Sequence, residues 1–157
     1  MNNNFLNIYN NLIKLTRNKI IYKNMSNNES FSDRLIIFFL HFAFFLKLFK
    51  KQTSKKDLQN LYDFVFKQIE LSIREIGYGD ASINKRMKEY VNLMYAIINK
   101  VEIWENLDST DKSKFFSEFI DVDKKSSFFI SYFDKYLKYL SKNSFNYFTN
   151  EVISLKF

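Results

Sequence analysis

The sequence predicts an all-α fold: a single compact bundle of six to seven helices over residues 1–157, with a fully apolar second helix at its centre. The chain has no proline and two glycines, at positions 77 and 79, so residues that break helices are nearly absent. Apolar residues recur at three- and four-residue spacing, and no segment alternates convincingly between apolar and polar. A chain of this length can bury about 70% of its unfolded surface in one domain.

The first helix is predicted from about residue 4 to residue 22. Its apolar face carries Phe5, Ile8, Leu12 and Leu15 at helical spacing. The polar stretch from Lys23 to Ser30 predicts a loop.

The second helix is predicted to start at a cap formed by Ser30 or Ser32 and to run to about Lys51. It is apolar on every side, which is typical of a helix at the centre of a bundle. Its most apolar run, residues 35–46, is shorter than the roughly 20 residues needed to cross a bilayer. We therefore expect a buried helix and not a membrane span.

Four or five further helices are expected. Ser54 is predicted to cap a third helix that ends near Ile76, with Phe64 and Leu71 opposite its main stripe, so that both sides are packed. After a turn at residues 77–80, a long fourth helix is predicted up to Trp104. The mostly polar residues 106–111 are expected to form a connection. Three shorter helices are then expected around residues 115–120, 127–140 and 144–155.

The turn at residues 77–80 has a physical explanation that needs no function. Gly77 suits the position after a helix end, where the backbone becomes left-handed and a side chain would clash. Asp80 or Ser82 is predicted to accept hydrogen bonds from the free amides that open the next helix. Turn geometry does not require Gly79, nor the charges around the turn.

Residues 74–80 read Arg-Glu-Ile-Gly-Tyr-Gly-Asp, and residues 82–88 read Ser-Ile-Asn-Lys-Arg-Met-Lys. Together they resemble the signature of the ubiquinol–cytochrome c chaperone family, an Arg-Glu-x-Gly-x-Gly-Asp turn followed by Ser-x-x-Lys-Arg-Met-Lys. Residues 12–17 with Tyr22 resemble the family's first helix, and residues 33–35 with His41 resemble its second. The resemblance covers about residues 10 to 105, and all four arginines (Arg17, Arg34, Arg74 and Arg86) fall on positions that the family also fills with arginine.

The resemblance implies a non-enzymatic assembly chaperone for the cytochrome bc complex, respiratory complex III, that binds newly made cytochrome b. It leaves open whether a small partner protein or the ribosome is also required. Because a guanidinium forms bidentate contacts that lysine cannot copy, the arginines are expected to have specific partners. The predicted partner-binding residues are Arg74, Glu75, Gly79, Asp80, Lys85 and Arg86.

The net charge of +7 leaves two alternatives open. A basic ribosome- or RNA-binding protein is one, and a peripheral protein that contacts anionic membrane through the lysines at residues 47–56 is the other; no DNA partner is expected. The first 28 residues carry four basic and no acidic residues, as in a mitochondrial transit peptide. We favour an ordinary first helix, and we expect a cytoplasmic protein, peripheral at the inner face of the cell membrane or, in a eukaryote, in the mitochondrial matrix.

No catalytic site and no cofactor are predicted. The chain has no cysteine, no phosphate loop and no histidine-containing dyad or triad. His41, the one histidine, lies among phenylalanines; it is interpreted as a hydrogen-bonded core residue, with a haem or metal ligand as the alternative.

Overall fold

A computed structural model describes residues 2–25, 30–122 and 126–150 of the chain. These residues form eight α-helices and one short 3-10 turn, and no strand occurs among them. The helices are α1 (Asn2–Thr16), α2 (Lys19–Lys23), α3 (Phe31–Phe49), α4 (Lys55–Ile76), α5 (Asp80–Glu102), α6 (Ser109–Phe119), α7 (Ser126–Ser141) and α8 (Phe145–Asn150), with the 3-10 turn at Trp104–Asn106. The predicted all-α bundle is confirmed.

The central, apolar helix predicted as the second is α3. Eleven of its residues are buried, among them the unbroken run from Ile37 to Phe45, so every side of the helix is covered. It contacts α1, α5 and α7. The predicted cap is also confirmed, because the Ser30 side chain accepts from the amide of Asp33 and the Asp33 side chain accepts from the amide of Ser30.

The first predicted helix is interrupted, which the prediction of one helix over residues 4–22 missed. The Asn18 side chain accepts from the amide of Ile20 and starts α2 as a new helix. The Tyr22 hydroxyl donates to the carbonyl of Thr16, which occupies a group that would otherwise continue α1. The predicted apolar face of α1 is buried in the core, at Phe5, Ile8, Leu12 and Leu15.

Trp104 is buried between α3, α6 and α7. Its ring lies at right angles to Phe44 of α3, with centroids 5.1 Å apart, and its indole nitrogen donates to Asp134 of α7 at 2.9 Å. Lys112 of α6 lies over the same ring at 4.7 Å. Trp104 therefore links α3 to the pair formed by α6 and α7.

Some predicted boundaries are wrong. The predicted connection at 106–111 is too long, because Asp108 caps α6 and the helix begins at Ser109. Leu71 is 43% exposed, so the packing predicted on both sides of α4 fails at that position, whereas Phe64 packs on Phe5. The part of the last predicted helix beyond residue 150 lies outside the described residues.

None of the helices in the described ranges is long and apolar enough to cross a membrane.

Candidate partner-binding surface at the α4–α5 turn

The turn between α4 and α5 has the geometry that glycine provides. Gly77 follows Ile76 with φ 104° and ψ 15°, and its amide donates to the carbonyl of Arg74. This left-handed conformation after a helix end confirms the predicted role of Gly77. No cis peptide bond and no other glycine with positive φ occurs in the described chain.

The capping role predicted for Asp80 or Ser82 is wrong. Gly79 occupies the N-cap position of α5 with φ −72° and ψ 160°, and it has no side chain to accept the free amides. Asp80 is instead the first residue of the helix, where a negative charge interacts favourably with the helix dipole. Its carboxylate is directed to an arginine across the turn.

Arg74 holds the two helices together at the turn. Its Nη1 donates to Oδ1 of Asp80 at 2.6 Å, and its Nη2 donates to Oε1 of Glu70 at 3.1 Å. The hydrogen bond to Asp80 is the main reason why the pKa of Arg74 is raised, and the hydrogen bond from Arg74 is the main reason why the pKa of Glu70 is lowered. The planar guanidinium thus bridges two carboxylates on different helices.

Arg86, the seventh residue of α5, stacks on an aromatic ring. Its guanidinium carbon lies 3.9 Å from the ring centroid of Tyr78, a cation–π contact that also fixes the exposed tyrosine. Arg86 is half-buried, as its predicted position at the edge of the apolar stripe requires. Neither Glu70 nor Tyr78 was predicted, although Glu70 could have been identified from its four-residue spacing to Arg74 on α4.

The remaining predicted residues face solvent. Glu75, Lys85 and Gly79 are exposed, and the two charged side chains form no ion pair within the described residues. Two large apolar side chains are exposed beside them, Ile76 at 54% and Tyr78 at 38%. We call the surface formed by residues 74–80 and by Lys85, Arg86 and Lys88 the turn surface. It combines exposed apolar area with two exposed lysines, Lys85 and Lys88, that form no ion pair within the described residues.

His41 is a core residue. It is completely buried, its Nδ1 donates to the carbonyl of Ile37 at 2.8 Å, and its Nε2 accepts from the hydroxyl of Tyr132 at 2.7 Å. Burial lowers its pKa to about 4, so the ring is neutral near pH 7. Both ring nitrogens are occupied by the protein, which leaves neither free to ligate a metal or haem.

The lysines at the other end of α4 are divided between paired and exposed residues. Lys47 binds Glu105 at 2.9 Å, and Lys50 binds Glu102. Lys51, Lys55 and Lys56 are exposed and form no ion pair in the part of the chain that the structure describes. No group of three or more histidine, cysteine or acidic side chains suited to a metal occurs within the described ranges.

Comparison with known proteins gives one match. The model of a family described as ubiquinol-cytochrome C chaperone matches residues 23–111, whereas neither curated proteins nor solved structures yield a match. The matched segment contains α3, α4, α5 and the turn surface. The likeness predicted for residues 10–22 lies outside it and stays a prediction. Because the matched segment is more than half of the chain, the protein belongs to the ubiquinol-cytochrome C chaperone family.

Proposed function

We propose that this protein is a non-enzymatic assembly chaperone of the cytochrome bc complex that holds newly made cytochrome b on its turn surface. Family membership supports the chaperone role. The observation that carries the proposal is the exposure of Ile76 and Tyr78 on the same turn surface as Lys85 and Lys88, which form no ion pair within the described residues. An exposed apolar group with a charged rim is the usual composition of a protein-binding surface.

The contacts within the turn divide the roles of its residues. Arg74 and Asp80 bind each other, so they shape the turn surface and present less free charge to a client. Lys85 and Lys88 are exposed and unpaired within the described chain, so they remain available to acidic groups. Ile76 and Tyr78 supply the apolar contact, and the stack of Arg86 on Tyr78 orients that ring.

Replacement of Ile76 by Asp tests this assignment. The side chain is already 54% exposed, so the variant should fold normally, with a melting temperature a few degrees lower at most because Asp at the last residue of α4 opposes the helix dipole. Cytochrome b captured from native cells by tagged protein should fall about tenfold. Ile20→Asp is the matched control, since Ile20 is 51% exposed on α2 and lies outside the family match. If both variants captured the same amount of cytochrome b, the turn surface would not be the client-binding surface.

The guanidinium of Arg86 provides a second test. Arg86→Lys keeps the charge but loses the planar group that stacks on Tyr78, so capture of cytochrome b should weaken with little change in stability. Co-purification from cells that carry the variant, quantified against the wild type, measures the effect. Unchanged capture would contradict the role given to the stack.

The function itself is tested by removing the gene. We expect lower cytochrome b levels and lower complex III activity, and normal values for both would refute the proposal. Salt-dependent RNA binding, or binding to anionic vesicles, that survives disruption of the turn surface would favour the two rival functions. A cytoplasmic location, or the matrix in a eukaryote, belongs to the proposal, and cell fractionation would test it.

A further inference from the structure

A narrow pocket lies between α1, the first turns of α3 and the second half of α4. Its volume is about 150 Å³. Apolar side chains from all three helices line it, namely Ile13, Phe31, Leu35, Phe38 and Ile69, and the ring of Tyr9 packs on that of Phe38 with centroids 5.7 Å apart. A cavity of this volume accommodates one benzene ring, so the pocket has room for one apolar group of that size.

The hydroxyl groups that line the pocket are hydrogen-bonded within the protein. Thr16 donates to the carbonyl of Leu12 at 2.9 Å, and Ser72 donates to the carbonyl of Gln68 at 3.0 Å. Tyr9 and Ser72 are hydrogen-bonded to each other. Binding of a charged group at the pocket therefore depends on the other polar side chains that line it, which are two arginines.

These arginines are Arg17, directly after the end of α1, and Arg34, in the first turn of α3. Both are exposed, and Arg17 forms no ion pair within the described residues. No acidic side chain occurs among the described residues that line the pocket. Two guanidiniums beside one apolar pocket complement an oxyanion attached to an apolar group, because the guanidinium fork matches a pair of anionic oxygens.

One carboxylate acts on the pocket from outside and limits the charge of its occupant. Burial raises the pKa of Tyr9, a hydrogen bond with Ser72 and the charge of Arg17 lower it, and the charge of Glu75 raises it. Glu75 belongs to the turn surface and does not line the pocket. Its negative charge disfavours a phosphate monoester, which carries almost two charges, more than a carboxylate, which carries one. We therefore expect a carboxylate.

We propose that the pocket binds the carboxyl-terminal residue of a partner protein. The apolar side chain of that residue fills the pocket, and its α-carboxylate accepts hydrogen bonds from Arg17 and Arg34. The pocket has half of the roughly 300 Å³ at which typical small-molecule sites begin, so it suits the anchoring end of a longer chain. Neighbouring side chains of an extended segment point to opposite faces, whereas a terminal residue carries its carboxylate and its side chain on one Cα atom. A chain end therefore fits better than an internal acidic segment.

Short peptides with a free carboxyl end provide the probe. Each is acetyl-Gly-Ser-Gly-Ser followed by Phe, Leu or Ala, and each is also made with an amide in place of the carboxylate. They are titrated into the full-length, isotope-labelled protein, and amide shifts are mapped by NMR. The Phe and Leu peptides should shift residues 9–17, 31–38 and 69–72, with an affinity that falls with added salt. The Ala peptide and every amide should bind about tenfold more weakly, because the apolar group or the charge is lost.

Variants at two exposed cations test the assigned contact. Arg17→Gln removes one guanidinium, so the affinity for the Phe peptide should fall about tenfold. Its melting temperature should be unchanged, because the side chain is exposed and forms no ion pair in the described chain. Arg17→Lys should keep part of the affinity, since it retains the charge and loses the planar fork. Lys14→Gln is the matched control; Lys14 is exposed on α1 outside the lining residues, and this variant should bind normally.

Each result decides the proposal. Preference for the free carboxylate, shifts at the pocket and weaker binding by Arg17→Gln together support it. No binding of any peptide, equal binding of acids and amides, shifts confined to other regions, or wild-type affinity of Arg17→Gln would each overturn it. Binding of hydrocinnamate or phenyl phosphate at the pocket, with no peptide binding, would assign the pocket to a small anion and would also overturn it. The titrations contain no cytochrome b, so their failure leaves capture at the turn surface unaffected, and the reverse also holds.

Discussion

Gly77 and Gly79 are two residues apart, but the backbone requires glycine at only one of them. Gly77 has φ 104°, a conformation in which a side chain is strained even though a Cβ atom would meet nothing within 4 Å. Gly79 has ordinary extended angles, φ −72° and ψ 160°, and equally open space around it. The backbone conformation therefore requires glycine at position 77 only, whereas at position 79 glycine is one of several residues that suit an N-cap.

Replacing each glycine by Ala separates the two roles. Gly77→Ala should destabilise the protein by about 1 kcal/mol, which lowers the melting temperature by roughly 2 to 4 °C. Gly79→Ala is the matched comparison and should lower the melting temperature by less, because its backbone angles suit any residue and only the preference for glycine over alanine at an N-cap is lost. Thermal unfolding of both variants measures the difference, and equal losses would contradict the conformational argument. A loss of cytochrome b capture by Gly79→Ala alone would assign Gly79 to the contact.

The sequence predicted where the residues of the turn surface lie, but not what they bind. Helical projection was sufficient to predict that Arg74 and Glu75 are exposed and that Arg86 lies at the edge of the stripe. The bond from Arg74 to Asp80 depends on the direction in which α5 leaves the turn, and periodicity carries no information on that angle. Tyr78 as the partner of Arg86 depends on the same angle.

Helix ends in this protein are set by side chains that accept from free backbone amides. Ser30 caps α3, Ser54 caps α4 and Asp108 caps α6, each by accepting from the amide three residues ahead. In a chain without proline, such caps are the main signals that fix where helices start. The cap at Ser30 matters most, because it begins the helix on which the core is built.

Loss of the Ser30 cap should destabilise the whole bundle. Ser30→Ala removes the acceptor for the Asp33 amide and should cost about 1 kcal/mol, or a fall of roughly 2 to 4 °C in the melting temperature. Ser32→Ala provides the control, because Ser32 is exposed inside the first turn and does not occupy the cap. Denaturant titration of both variants should show a lower midpoint for Ser30→Ala only, and similar midpoints would argue against the capping box.

Periodicity predicted helices well where their apolar faces were long, as in α4 and α5. It failed at residues 17 and 18, because the stripe of the first helix continues through Ile20 and Ile21 while the backbone breaks. The break depends on Asn18 as a cap and on the bond from Tyr22 to Thr16. Asn18 could either continue a helix or cap a new one, and tertiary contacts decide between the two.

Across the whole molecule, α3 is the helix that the others share. It joins α1 on one side to α5 and α7 on others, and His41 marks its contact with α7 through the hydroxyl of Tyr132. The carbonyl of His41 also accepts from Tyr136 at 3.2 Å. His41 thus makes two hydrogen bonds between α3 and α7, one through its ring and one through its carbonyl.

Global stability should consequently depend on the protonation of His41. Because its pKa is lowered from 6.5 to about 4 in the folded protein, the unfolded chain binds the proton first as the pH falls. Neutral His41 contributes about 3 kcal/mol to the free energy of unfolding. This contribution is complete above pH 6.5 and is lost as the pH falls from 6.5 to 4. Denaturant unfolding at pH 7 and pH 4 measures the change.

His41→Gln is the control for this dependence, because Gln offers hydrogen-bonding groups and does not titrate. Between pH 7 and pH 4, the free energy of unfolding of the wild type should fall by about 3 kcal/mol more than that of the variant. The carboxylates titrate in both proteins, so their effect cancels in this difference. Parallel losses in the two proteins would show that folding does not lower the pKa of His41.

The hydrogen bonds between α1 and α8 bear on the order of events during translation. Asn7 donates to the carbonyl of Thr149 at 2.6 Å, and Asn11 donates to that of Phe148 at 3.0 Å across 137 residues of sequence. Helix α1 is synthesised first, but its final partner leaves the ribosome only after all the central helices have been made. Nascent chains therefore expose one face of α1 until α8 docks, and the rate of this last step depends on closing a long loop.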